Sequence, residues 1–179
     1  MTLVLIVLAL RLLIPFTIFR WPLLGGLLAF TADIYDFVIL NKFGWPGFLN
    51  SDIYQPIDKA LDVYYFSFEV FVAAKWSDVL ARRTAVVLFL WRMIGIVIFE
   101  LTGFRKALFL APNIFEYFYL AFLGIRKINP AFRMQRKWLI IILAVIAVPK
   151  LIFEYILHFR EYPLGIANSW EFVKKMLFR

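Results

Sequence analysis

The stretch Thr84–Gly103, TAVVLFLWRMIGIVIFELTG, carries only Arg92 and Glu100 as charges in an otherwise apolar run. About 20 mainly apolar residues are what a helix needs to cross the hydrocarbon core of a bilayer. Similar runs recur on either side of it. Helical spans are predicted near 2–19, 22–41, 56–74, 84–103, 106–125 and 137–159. The fold class read from them is all-α: a polytopic transmembrane bundle of about six spans, one integral membrane domain over 1–179. The third span is interrupted by Asp58, Asp62 and Glu69, so a five-span protein with a surface helix there is the alternative.

Composition agrees with the runs. Hydrophobic residues make up 64% of the 179, against about 45–50% in soluble domains. The 21 Phe suit a lipid-facing surface, and the 8 Tyr and 6 Trp suit the headgroup level. There is no Cys and a single His, His158, which excludes disulfides, thiolate chemistry and multi-histidine metal sites. The net charge of +8 sits in short clusters between apolar runs, not on a solvated basic face. Anionic lipid headgroups are therefore the expected partners, and nucleic acid is not. A homo-oligomer or a membrane-complex partner is also compatible with the sequence.

The separators read as turns. Arg20-Trp21-Pro22 is tight, with Pro suited to a helix start. Residues 41–55 form the longest loop, Lys75–Arg83 and Arg126–Lys137 are short and basic, and Gly103-Phe104-Arg105-Lys106 is a brief turn. The first run has no basic start and carries Arg11 in its middle, unlike a signal peptide, so it is expected to be a retained span. A C-terminal interfacial helix is expected over 168–178, with Trp170, Val173 and Leu177 on one face. Counting Lys and Arg in short loops places nine (Arg20, Lys75, Arg82, Arg83, Arg126, Lys127, Arg133, Arg136, Lys137) on one face. Five lie on the other (Lys42, Lys59, Arg105, Lys106, Arg160), the face that would also hold both termini. The richer face is expected to be cytoplasmic. The expected location is the plasma (inner) membrane of a prokaryote.

The acids are the informative feature. Of 12 in the chain, eight fall inside proposed spans: Asp33, Asp36, Asp58, Asp62, Glu69, Glu100, Glu116 and Glu154. Only Arg11, Arg92 and Lys150 are comparably embedded cations. A charge at the bilayer centre costs about 3 kcal/mol or more, so these groups must face the bundle interior, pair, bind a cation or be protonated. Most fall in the same half of the membrane. At 100° per residue, Asp58, Asp62, Tyr65 and Glu69 form one stripe, and Gly25, Ala29, Ala32 and Asp36 share a face on which small residues allow close helix approach.

The predicted object is an acid-lined cavity open to one face, with Arg11, Arg92 and Lys150 at its floor. Asp33, Asp36, Asp58 and Asp62 are the candidate catalytic and metal-ligating residues. Their oxygen-only chemistry suits Mg²⁺, Mn²⁺ or Ca²⁺. Arg11, Arg92, Lys150, Asn113, Glu116, Glu69, Glu100, Glu154 and His158 are candidate substrate-binding residues. The structural alternative is that each acid pairs with a cation or hydroxyl and only fixes helix packing. Lys150, Glu154 and His158, spaced i, i+4 and i+8, can form a proton path or two ordinary helix pairs. Pro112-Asn113 and Pro149-Lys150 are candidate helix breaks. Trp76 and Trp138 are expected as interfacial anchors, and Trp91-Arg92 as a deep cation–π or stacking contact.

The paired aspartates, Asp33-x-x-Asp36 closing one span and Asp58-x-x-x-Asp62 opening the next, resemble part of the signature of the CDP-alcohol phosphatidyltransferases, D-x2-D-G-x2-A-R followed by G-x3-D-x3-D. The resemblance covers about 30 residues and implies a six-span enzyme with a metal held by the aspartates. The rest of the signature differs: Phe37 stands at the Gly, Leu40-Asn41 at Ala-Arg, and Tyr54 at the second Gly. There is no Gly-rich phosphate loop and no Ser–His–Asp arrangement. Three function classes follow from the residues: a metal-assisted enzyme on a lipid or lipid-linked substrate, a cation- or proton-coupled transporter or channel, and a noncatalytic subunit or scaffold.

Overall fold

The computed structural model describes residues 2–43, 54–104 and 106–159. The expected interfacial helix at 168–178 and most of the loop at 41–55 lie outside the described residues. Among those described, the chain is helical with no strands. The helices are α1 (Thr2–Leu13), α2 (Thr17–Arg20), α3 (Pro22–Phe43), α4 (Tyr54–Ala73), α5 (Val79–Thr102), α6 (Lys106–Leu110), α7 (Phe115–Ile128) and α8 (Arg136–Phe159). Four stretches are long and apolar enough to cross a membrane: Thr2–Arg20, Pro22–Leu40, Val79–Thr102 and Ala107–Ile128.

The exposed surface is apolar enough to suit lipid. Leu5, Ile6 and Leu10 on α1, Val87, Leu90, Ile94 and Val97 on α5, and Ile140, Val145 and Ile152 on α8 are all exposed. Water would penalise such contiguous apolar patches; hydrocarbon does not. The interior is aromatic. Phe66, Phe115, Phe118 and Tyr119 are essentially fully buried and meet edge-on or tilted, as Phe66 and Phe115 do at 6.0 Å and 89°, an arrangement that suits aromatic quadrupoles.

The most acidic helix is central. α4 packs against α1, α2, α3, α5 and α7, and its buried residues Leu61, Asp62, Tyr65, Phe66, Glu69 and Ala73 follow helical spacing. The neighbours carry the lipid-facing surface, so the acids of α4 are shielded from hydrocarbon.

Helix ends and breaks have identifiable causes. Pro15 sits in a short 3-10 turn, Ile14–Phe16, between α1 and α2. Asp78 caps α5 by accepting the Ala81 N–H at 3.1 Å. α5 therefore starts at Val79, five residues before the predicted Thr84. At the other end Gly103, at φ 66°, donates its N–H to the Phe99 carbonyl, an ending that glycine accommodates without strain. The fifth predicted span is broken: α6 stops at Leu110 and α7 begins at Phe115, with Pro112-Asn113 between them. Pro149, the other candidate break, lies inside the continuous α8.

Small residues permit two close approaches. A Cβ on Gly25 would stand 2.5 Å from the Ile18 backbone nitrogen, so glycine lets α3 fold back against α2. A Cβ on Gly95 would collide with Ala111 at the α6–α7 break. Between the chain's two basic loops, Asp78 also accepts the Met134 N–H at 2.6 Å. This ties residues 74–78 to residues 129–135 at one end of the bundle.

Candidate functional site

The four aspartates converge on one cation. Arg11, in the last turn of α1, is buried. Its Nη1 donates to Asp36 Oδ2 and, at 2.8 Å, to Asp58 Oδ1. Its Nη2 donates to Asp33 Oδ1 and, at 3.0 Å, to Asp62 Oδ1. A planar guanidinium with fixed donors can serve several carboxylates at once in a way that an ammonium cannot. Lys59 adds a second cation at 2.9 Å from Asp58 Oδ2 and 3.1 Å from Asp62 Oδ2. When ionised, the four aspartates with Arg11 and Lys59 sum to two negative charges.

The aspartates differ in access. Asp36 is buried, whereas the Asp33 and Asp58 side chains keep 29% and 21% of their surface exposed. Asp33, Asp58 and Asp62 each offer a carboxylate oxygen, and these atoms lie within 4.8 Å of one another. One hard cation with bonds of about 2.1–2.5 Å reaches oxygens on opposite sides across such a span. Asp36, expected as a ligand, is outside this triad.

Arg11 is placed differently from the sequence expectation. It lies among the acids instead of beneath them, because α1 crosses α3 and α4 at the level of the aspartates. Arg92 is elsewhere: it donates from Nη1 to the Ala111 carbonyl at 2.9 Å, while Trp91 Nε1 donates to the Leu110 carbonyl at 3.0 Å. These neighbouring side chains of α5 satisfy carbonyls freed at the end of α6, which would otherwise lack partners in an apolar setting. That is the role these bonds give them. Lys150 Nζ lies 5.7 Å from the Tyr117 ring centroid, and Glu100 is exposed on α5. Glu154 and His158 belong to α8, but their side chains lie outside the described residues.

A second polar group continues inward along α4. Tyr65 Oη donates to Glu116 Oε1, and Asn113 Nδ2 donates to Glu116 Oε2 at 2.9 Å. Glu69 follows one turn later on α4, fully buried. Trp76 stacks on Tyr119 at 5.6 Å and packs on Phe122 at 4.4 Å, so it closes the end of the core.

Two contributors escaped sequence reasoning. Lys59 counts with the loop charges in the sequence, although its i,i+3 spacing to Asp62 is a visible signal. Asp78 lies outside the predicted spans, although Asp before an apolar run is a helix-start signal.

No family model, curated protein or solved structure matches the chain. The likeness to the phosphatidyltransferase signature therefore extends no further than the paired aspartates.

Proposed function

We propose that the chain is a six-span membrane protein that takes up a divalent cation, Mg²⁺, Mn²⁺ or Ca²⁺, at Asp33, Asp58 and Asp62 and uses it on a phosphate-bearing lipid or lipid-linked substrate. The observation that carries this reading is the triad of carboxylate oxygens within 4.8 Å of one another. The net negative charge of the cluster supports it, since two cations do not offset four carboxylates. In this reading Asp36 keeps Arg11 in place while the other three aspartates hold the ion. The ion, once bound, would polarise a phosphoryl oxygen. Lys59, partly exposed beside Asp58, would face the anionic headgroup.

The six-span count adds α4 and α8 to the four apolar stretches. α4 has 20 residues and α8 has 24, about 30 and 36 Å long at 1.5 Å per residue. The packing of five helices around α4 supports its insertion despite its charges.

The test is direct binding. Purified protein in lipid nanodiscs should take up one Mn²⁺ per chain, seen by electron paramagnetic resonance, with Mg²⁺ or Ca²⁺ competing. Asp58→Asn and Asp62→Asn should lose the signal while remaining folded. Turnover of anionic phospholipid, followed by phosphorus NMR, should stop with EDTA. Failure of all three cations to bind at millimolar concentration would sink the proposal.

One observation favours a second reading. Arg11 already bridges all four aspartates, which is what a noncatalytic subunit or scaffold needs to lock α1, α3 and α4 together. In that case thermal stability is insensitive to EDTA and to added cation.

A further inference from the structure

Glu69 and Glu116 are the two most deeply buried acids among the described residues, at 0% and 1% exposure. They act on one another electrostatically, yet their surroundings differ. Both oxygens of Glu116 accept a hydrogen bond, one from the Tyr65 hydroxyl and one from the Asn113 amide. Neither oxygen of Glu69 has a hydrogen-bond partner among the described residues.

The Glu69 carboxyl is enclosed where α3, α4 and α7 meet. A Cβ built on Gly26 of α3 would stand 3.1 Å from Glu69 Oε1, 3.0 Å from the Tyr119 ring and 3.0 Å from Leu120. Glycine at 26 thus leaves the room that the carboxyl occupies. Tyr119 is not a donor to it, because its hydroxyl is given to the Pro22 carbonyl at 3.3 Å. The groups that face this position are Tyr65 on its own helix and Glu116 and Tyr119 on α7; α3 presents Gly26. Lys150 of α8 and Asp62 of α4 act on Glu116. Among the described residues, Glu116 is the charged group that acts on Glu69.

Hydrogen bonds to a carboxylate favour its ionised form, and burial without donors favours the neutral acid. An ionised Glu69 would be a buried charge with neither donor nor counter-ion among the described residues, at a cost of many kcal/mol. Two neighbouring carboxyls in unlike settings sort a single proton between them. The donors select Glu116 for the charge and leave the proton to Glu69.

We propose that Glu69 is a proton-binding site in the core of the bundle, its carboxyl holding the proton while the hydrogen-bond donors are gathered on Glu116. This reading stands independently of the aspartate triad. Binding and release of the proton would change the charge at the α3–α4–α7 contact around Gly26, and so would be felt in the packing of those three helices.

Infrared spectroscopy of the full chain in nanodiscs reads the proton directly. Wild type is expected to show the carbonyl stretch of an undissociated carboxylic acid at neutral pH, falling as pH is raised and missing in Glu69→Gln. Gln mimics the neutral acid, so this variant is expected to fold as wild type does, whereas Glu116→Gln is expected to be destabilised. Should Glu69→Gln fail to fold, dicyclohexylcarbodiimide maps the proton in wild type. The acid proton goes to a carbodiimide nitrogen as the carboxyl oxygen adds to the central carbon, and acyl transfer from oxygen to nitrogen then leaves a stable N-acylurea with every atom retained. Mass spectrometry should find the adduct on Glu69, declining with rising pH. An acid band that is absent at neutral pH, that does not change with pH or that persists in Glu69→Gln overturns the proposal. So does an adduct missing from Glu69 or found on Glu116 instead.

Discussion

Arg11 Nη2 lies 3.0 Å from Asp62 Oδ1, joining α1 to α4 across 51 residues of sequence. With the bonds to Asp33 and Asp36 it also joins α1 to α3. Breaking a buried pair by removing one partner leaves an uncompensated charge and costs about 3–5 kcal/mol. Arg11→Ala should lose stability on that scale, measured by unfolding in mixed detergent micelles. Arg11→Lys should be intermediate, since one ammonium cannot reach four carboxylates. If the aspartates take a divalent cation, added Mn²⁺ should raise the melting temperature of Arg11→Ala more than that of wild type.

Asp78 performs two tasks with one carboxylate. Oδ1 caps α5 through the Ala81 N–H, and Oδ2 accepts the Met134 N–H ahead of α8. The cap alone is worth about 1 kcal/mol, and a stranded buried N–H about 1–3 kcal/mol more. Asp78→Ala should therefore be among the more destabilising changes at a loop position. Asp78→Asn, which keeps one acceptor, should fall between the two. Equal stability of all three proteins in a detergent unfolding series would show that the tie between the loops carries no weight.

What the sequence revealed and what it hid divide along physical lines. A run such as Thr84–Gly103 is legible because lipid acts as a uniform solvent and needs only length and apolarity. The stripe Asp58, Asp62, Tyr65, Glu69 is legible because a single helix fixes its spacing. The place of Arg11 is not, because it depends on how α1 crosses α3 and α4, and no local pattern encodes that crossing. The two prolines show the same limit. Pro112 follows a helix end where Trp91 and Arg92 donate to the freed carbonyls, while Pro149 is absorbed into α8. Sequence alone flags both positions equally. At Pro112 the break has partners on another helix.

Two glycines should respond in opposite ways to alanine. At Gly95 the new methyl would collide with Ala111 and lie 3.1 Å from the Ala107 carbonyl oxygen. The break between α6 and α7 would have to move, at a cost of about 1–3 kcal/mol for overpacking. At Gly124, inside α7, nothing lies within 4 Å. There alanine only improves helix propensity and should add up to about 1 kcal/mol. Thermal unfolding of the two variants in the same detergent gives the comparison, and a stabilised Gly95→Ala would contradict the close contact.

The Asp78–Met134 bond fixes which loops share a face. The segment between α4 and α5 and the segment between α7 and α8 must emerge on the same side of the membrane, whereas α5, with 24 residues, is about 36 Å long and carries its C-terminal end to the other side. The chain has no cysteine, so introduced cysteines report without background. Ser77→Cys and Ala131→Cys should react with a membrane-impermeant maleimide from one side of sealed vesicles, and Phe104→Cys, exposed beyond α5, from the opposite side. Because Lys75, Arg82, Arg83, Arg126, Lys127 and Arg133 lie in or beside the first two segments, the positive-inside bias predicts that in inside-out vesicles Ser77→Cys and Ala131→Cys are the pair that reacts. Labelling of Ser77→Cys and Ala131→Cys from opposite sides would mean that α5 to α7 do not cross as two antiparallel spans, and would remove the frame on which both acidic groups are placed.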